Sequence, residues 1–146
     1  MTGIPTKEDF QNTDSLVLFL KQNQSIDFLT FNLQDEDNLI KLNFKNLESQ
    51  QIEIIFQIKA YQRLIRIIPE NDTEIALTLM QQGIHSALQI AAMTRKDFMK
   101  KCLGVLDEKL ADTIYHNALA KRSTIVVQYM NLLQNREPHI SSARFK

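Results

Sequence analysis

Glycine and proline are too scarce in this chain to turn it often: there are three of each in 146 residues. All-β folds need turn residues every ~8–12 positions, so a sandwich or barrel is excluded and long helices joined by few turns are expected. Tryptophan is absent and cysteine occurs once, at Cys102. A lone thiol closes no intramolecular disulfide, which excludes a disulfide-stapled secreted fold. No apolar run approaches the ~18–20 residues needed to span a bilayer, so no transmembrane segment is expected. Residues 1–12 are polar and carry acids, unlike the basic-then-apolar start of a secretory signal. The expectation is a soluble protein, cytoplasmic or exported without a Sec-type signal peptide.

What is present is core material. Hydrophobic residues make up 44 % of the chain, too many for a disordered segment and enough, at this length, for one domain. Net charge is zero but unevenly spread. Residues 1–58 hold four lysines against nine acids, a net of −5, and residues 59–146 hold thirteen Lys and Arg against eight acids, a net of +5. Complementary halves that pack together account for this most simply; a basic half facing an acidic partner is the alternative.

Periodicity predicts an all-α fold: a flexible lead-in over 1–12, a single helical domain over 13–136 and a flexible tail over 137–146. Thr13 or Asp14 is positioned to cap a short helix through Leu16, Val17, Phe19 and Leu20. Residues 25–33 fit a short extended piece or a buried turn equally well. Asp35 opens a brief segment with Leu39, Ile40 and Leu42. From 48 to 68 the helical signal is clear: Ile52, Ile55, Phe56, Ile58, Tyr61, Leu64, Ile65 and Ile68 recur at spacings of three and four, and Pro69 ends the run. Asn71 or Asp72 caps a helix with Ile75, Leu77, Leu79 and Met80 that stops at Gly83. Ser86 caps a second short helix, Thr94 a third that closes at Gly104, and Asp107 the last and longest, reaching about Arg136. Its stripe is Leu110, Ile114, Ala118, Ile125, Tyr129 and Leu132/Leu133. At 1.5 Å per residue it spans roughly 45 Å, longer than a domain of this size is wide. Its C-terminal part is therefore expected to protrude or to pack on another molecule.

Little in the sequence points to chemistry. No two of His85, His116 and His139 share the i, i+4 spacing that puts ligands on one helix face, and no cysteine or carboxylate cluster accompanies them. His116 lies four residues after Asp112, so a local ion pair is the expectation. Lys100 and Lys101 could lower the Cys102 thiol pKa; a semi-buried structural thiol is the simpler reading. There is no Gly-rich phosphate loop, nucleophile elbow or zinc spacing. No enzyme activity, cofactor or metal is expected.

One motif is more specific. Leu79, Gly83, Ile84, His85, Ser86, Ala87, Leu88, Gln89, Ile90 and Ala91 spell a helix, a tight turn and a second helix, a helix-hairpin-helix-like unit. In DNA-binding hairpins, turn N–H groups and the following helix N-terminus hold a backbone phosphate. Arg95, Lys96, Lys100 and Lys101 follow. Here, however, His85 stands where such hairpins usually carry a second glycine, and its Cβ would hinder a phosphate. Nucleic-acid binding is the alternative function. The leading expectation is that Ile84 simply packs two helices together.

Residues 28–135 resemble a helical segment of the toxin-complex A subunits, the virulence-plasmid A protein family of bacterial toxins. The resemblance is carried by Tyr61-Gln62-Arg63-Leu64-Ile65-Arg66 with Pro69 and by Gly83-Ile84-His85-Ser86-Ala87. Ile90-Ala91, Arg95 with Phe98, and Ala111, Ile114, Tyr115 and Ala118 complete it. It implies part of the α-helical shell of a large pentameric toxin, acting as scaffold and assembly surface. The residues singled out, Tyr61, Arg63, Gly83, Ile84, Ser86, Ala87, Ile90, Phe98 and Tyr115, are a structural hairpin and packing motif. Family members are many times longer, so the expectation is an excised piece or a small protein built on the same unit, and pore formation does not transfer. The function expected is a non-enzymatic scaffold or protein–protein interaction domain, with a protein partner or further copies of itself.

Overall fold

A computed structural model describes residues 12–136; the histidine at 139 and the tail expected over 137–146 lie outside them. Among the described residues there are seven α-helices and no strand, the all-α fold that the scarcity of turn residues predicts. The helices are α1 (Asp14–Gln22), α2 (Glu36–Leu39), α3 (Gln51–Ile65), α4 (Thr73–Gln81), α5 (Ala87–Ala92), α6 (Arg95–Cys102) and α7 (Glu108–Arg136).

Local chemistry sets most of the boundaries. Asp72 accepts from the N–H groups of Glu74 and Ile75, Ser86 from Gln89, and Thr94 from Asp97. Asp107 Oδ2 accepts from Leu110 N–H at 3.3 Å. Each carboxylate or hydroxyl satisfies donors that a first helical turn leaves orphaned. After α4 the chain turns at Gly83, φ +83°. Gly83 N–H donates to Met80 and Ile84 N–H to Leu79, the paired 5→2 and 6→1 bonds of a Schellman ending, which needs a left-handed residue there. Gly104 repeats the left-handed geometry after α6.

Three local expectations are corrected. Thr13 does not cap α1 with its side chain; its buried hydroxyl instead accepts from Gln81 Nε2 at 3.1 Å, and Asn12 Oδ1 takes the N–H of Asp14. The helix expected over 48–68 is shorter, because Ile68 is extended (φ −95°, ψ 131°) in front of Pro69, as the proline ring requires. Asn71, left-handed at φ 52°, returns its amide to the Ile65 carbonyl at 2.6 Å and closes that helix end. Within α3, Ile52 and Phe56 face outward, while Ile54 and the polar Gln57 and Gln62 are buried. Residues 25–33 form turns around Asp27, with no extended strand.

The core runs as one body through the helices. Leu16 and Phe19 of α1, Ile54, Ile58 and Leu64 of α3, Leu79 and Met80 of α4, Ile84, Ile90 of α5, Phe98 of α6 and Ile114 of α7 are essentially without solvent contact. Helix α3 packs on α1 and α4, and α7 lies across α5 and α6. The poorly helical stretch 23–50 is tied on by amides. Asn23 Nδ2 donates to the carbonyls of Phe19 and Asn43, and Gln62 Nε2 reaches those of Phe28 at 2.7 Å and Phe31 at 2.6 Å.

Candidate functional site

The groups capable of chemistry are scattered and internally engaged. His116, on α7, has Nδ1 2.8 Å from the Asp112 carbonyl and 3.5 Å from its carboxylate. The same carboxylate holds Arg95 Nε at 2.7 Å. Cys102 is buried at the end of α6. Desolvation raises its thiol pKa from the ordinary 9.0 to about 11, with Lys101 pulling only weakly the other way. The neighbouring lysines therefore do not activate it: removal from water outweighs an exposed cation. Among the described residues no group of three or more His, Cys, Asp and Glu could hold a metal ion. A cavity of about 640 Å³ opens between α1, α3 and α4 over Val17, Leu20, Ile26 and Leu77, with the Tyr61 and Thr73 hydroxyls on its wall. Those two oxygens sit 2.8 Å apart and bond each other.

The nine residues singled out for packing are spread over α3, the hairpin, α6 and α7 and are not all buried: Tyr61, Ile84, Ala87, Ile90, Phe98 and Tyr115 are, while Arg63 is exposed. Tyr61 and Arg63 project from α3, the latter donating from Nε to the His85 carbonyl at 3.2 Å. Gly83 and Ile84 make the turn, and Ser86 caps α5, whose Ala87 and Ile90 are buried. Phe98 of α6 stacks on Tyr115 of α7 with ring centroids 5.8 Å apart, and Tyr115 Oη donates to the Met93 carbonyl at 2.8 Å. The motif joins α3, the hairpin, α6 and α7. The hairpin's own donors are taken: besides the Schellman bonds, His85 N–H donates to Gln89 Oε1 at 2.8 Å while Gln89 Nε2 donates to the Gly83 carbonyl. Sequence reasoning placed Gln89 in the motif but missed its role of clamping the turn. Only its place three residues past the Ser86 cap hinted that it could fold back over the turn.

The surface that stands out is the far half of α7. Up to Ala118 the helix buries Ala111, Ile114, Tyr115 and Ala118. Arg122 Nη1 makes a last, 3.5 Å contact with the Ala91 carbonyl at the end of α5. Beyond it Val126, Val127, Tyr129, Met130, Leu132 and Leu133 are all exposed, Tyr129 by 61 %. At 100° per residue, Ile125, Val126, Tyr129, Leu132 and Leu133 extend the stripe that α7 uses against α5 and α6. Lys121 flanks the stripe, and Ser123, Thr124, Gln128 and Asn131 occupy the other side. The helix thus carries its core-facing pattern past the end of the body. No helix among the described residues is long and apolar enough to cross a membrane.

The chain matches no family model, and neither a curated protein nor a solved structure is significantly similar to it.

Proposed function

We propose that this chain is a non-enzymatic helical assembly domain that docks through the exposed half of α7, and that its occupant there is a second copy of itself. The observation that carries this reading is the continuous apolar stripe past Arg122, uncovered on several successive turns. Monomeric proteins rarely leave apolar patches beyond a few hundred Å² open to water. Two such stripes face to face would bury on the order of 1,000 Å², the lower end of specific interfaces. From Thr113 to Arg136 the helix sequence has no acid; its cations are Lys121 and Arg122 at the start of the exposed half and Arg136 at its end. The toxin-complex A resemblance fits the same reading, as a shell element in a toxin or injection machine; it rests on the packing residues alone.

Light scattering or sedimentation tests this. The wild-type chain is expected to self-associate with rising concentration, and Tyr129→Glu with Leu133→Glu to render it monomeric at unchanged helicity. A chain that stays monomeric up to its solubility limit, or a double variant that still associates, would refute the α7 pairing. The nucleic-acid alternative is weaker. A phosphate at the hairpin needs free N–H groups, and those of Gly83, Ile84 and His85 already serve Met80, Leu79 and Gln89. Salt-dependent duplex binding lost on mutation of Arg95, Lys96, Lys100 and Lys101 would revive it.

A further inference from the structure

Three cations stand along one face of α3. Lys59, Arg63 and Arg66 follow an i, i+4, i+7 spacing, which keeps them within a single narrow stripe. They line a groove of about 370 Å³ whose opposite wall is the turn over residues 30–34. Among the described residues, no carboxylate lines that groove. Among the described residues, the side-chain ion pairs are those of Asp112 with Arg95 and His116, on other helices. The acids next in the chain, Asp35, Glu36 and Asp37, begin α2, and the Asp35 carboxylate is taken by the N–H of Asp37.

The two guanidiniums are held by neutral carbonyls. Arg63 Nε donates to His85 and Arg66 Nη2 to Leu29, the latter at 3.3 Å. A guanidinium has five N–H donors in a fixed fork, so each keeps most of them for a further acceptor. Lys59 Nζ lies 5.8 Å from the centre of the Phe56 ring. Burial around Arg63 lowers its pKa, the mark of a cation partly out of water. The wall is fixed as well, since Gln62, one residue before Arg63, pins the carbonyls of Phe28 and Phe31. Fixed cations on a pre-shaped wall lose little entropy on binding, and arginine forks match oxyanions in geometry as well as charge.

We propose that the groove between Lys59, Arg63, Arg66 and the 30–34 turn binds a multiply charged oxyanion group, the chemistry shared by phosphates and by paired carboxylates of an acidic segment. Two arginines supply directed donors and the lysine a mobile charge at the rim. This site is separate from the α7 stripe and stands whether or not the chain pairs through it.

Isothermal titration of the full chain with inorganic pyrophosphate and with a hexaglutamate peptide tests the proposal at low ionic strength. At least one probe is expected to bind saturably, with affinity falling as salt rises. Arg63→Gln with Arg66→Gln should weaken binding by about tenfold or more, the worth of one lost charge-assisted contact at ~1.4 kcal/mol. Lys59→Gln breaks no hydrogen bond within the protein and should weaken it by about threefold, so the site is testable even if the double arginine variant unfolds. Lys96→Gln with Lys100→Gln, on α6, should change nothing. Pyrophosphate binding alone assigns the site to phosphates, and hexaglutamate binding alone to an acidic protein segment. Saturation by neither probe, no effect of Lys59→Gln, or an equal loss from the α6 pair overturns the proposal.

Discussion

Between Leu110 and Ala118, helix α7 turns Ala111, Ile114, Tyr115 and Ala118 onto α5 and α6 and buries them; between Ile125 and Leu133 it turns equally apolar residues towards water. Both halves are helical and both carry an apolar stripe. The difference lies in the neighbours: α5 ends at Ala92 and α6 at Cys102, and the Arg122 contact with the Ala91 carbonyl marks the rim of what they cover. Helical periodicity therefore reports that a face is meant to be covered and is silent about what covers it. In the first half the cover is in the same chain. In the second half a further molecule supplies it, on the reading proposed above.

The sharpest way to break this comparison is to truncate equivalent apolar residues in each half. Ile114→Ala removes a fully buried side chain and should cost about 2–5 kcal/mol in urea unfolding, by lost burial plus a residual cavity. Leu133→Ala should cost the dilute, monomeric chain under ~0.5 kcal/mol. Equal costs would mean that the far half is packed after all. Next in size is Gln62→Ala, which strips the donor from two loop carbonyls and should cost about 1–3 kcal/mol. Faster amide exchange confined to residues around 25–33 would identify that loop as the part released.

Cys102 sharpens the contrast through pH. Its folded pKa, about 11, lies above the ordinary 9.0, so above pH 9 the unfolded chain gives up the proton first. The thiol leaves stability unchanged below that point and lowers it as pH climbs towards 11. Alkylation at pH 8 should be far slower in the native chain than in urea, and Cys102→Ala should flatten the alkaline decline. The smallest expected effect is Asp112→Asn. This residue serves Arg95 and His116, both largely exposed, and its loss should shift stability by no more than ~1 kcal/mol. A larger loss would show that the α6–α7 junction depends on charge rather than on the Phe98–Tyr115 stack.

Sequence reasoning succeeded where the deciding chemistry is local. The caps at Asp72, Ser86, Thr94 and Asp107, the stops at Gly83 and Gly104 and the break before Pro69 all depend on residues within a few positions of each other. It failed at Thr13, whose hydroxyl is drawn to Gln81, 68 positions away. It also failed on α3, where Gln57 and Gln62 are buried because distant carbonyls of Asn12, Phe28 and Phe31 need donors. The burial of Tyr61, Ile84, Ala87, Ile90, Phe98 and Tyr115 was legible from apolar or small residues at helical spacing. The cationic groove was not, because its far wall comes from a turn some thirty residues earlier in the chain.

The amino-acid sequence by itself determined that this protein is helical, where most helices begin and end, and that α7 outruns the rest, because caps, prolines and periodicity act through bonds a few residues long. Only the tertiary structure decided which apolar faces find partners, which glutamines go inside, and that Lys59, Arg63 and Arg66 gather with no acid among the described residues beside them. Those outcomes depend on which segments meet in space, and pairings across tens of residues leave no mark on local pattern.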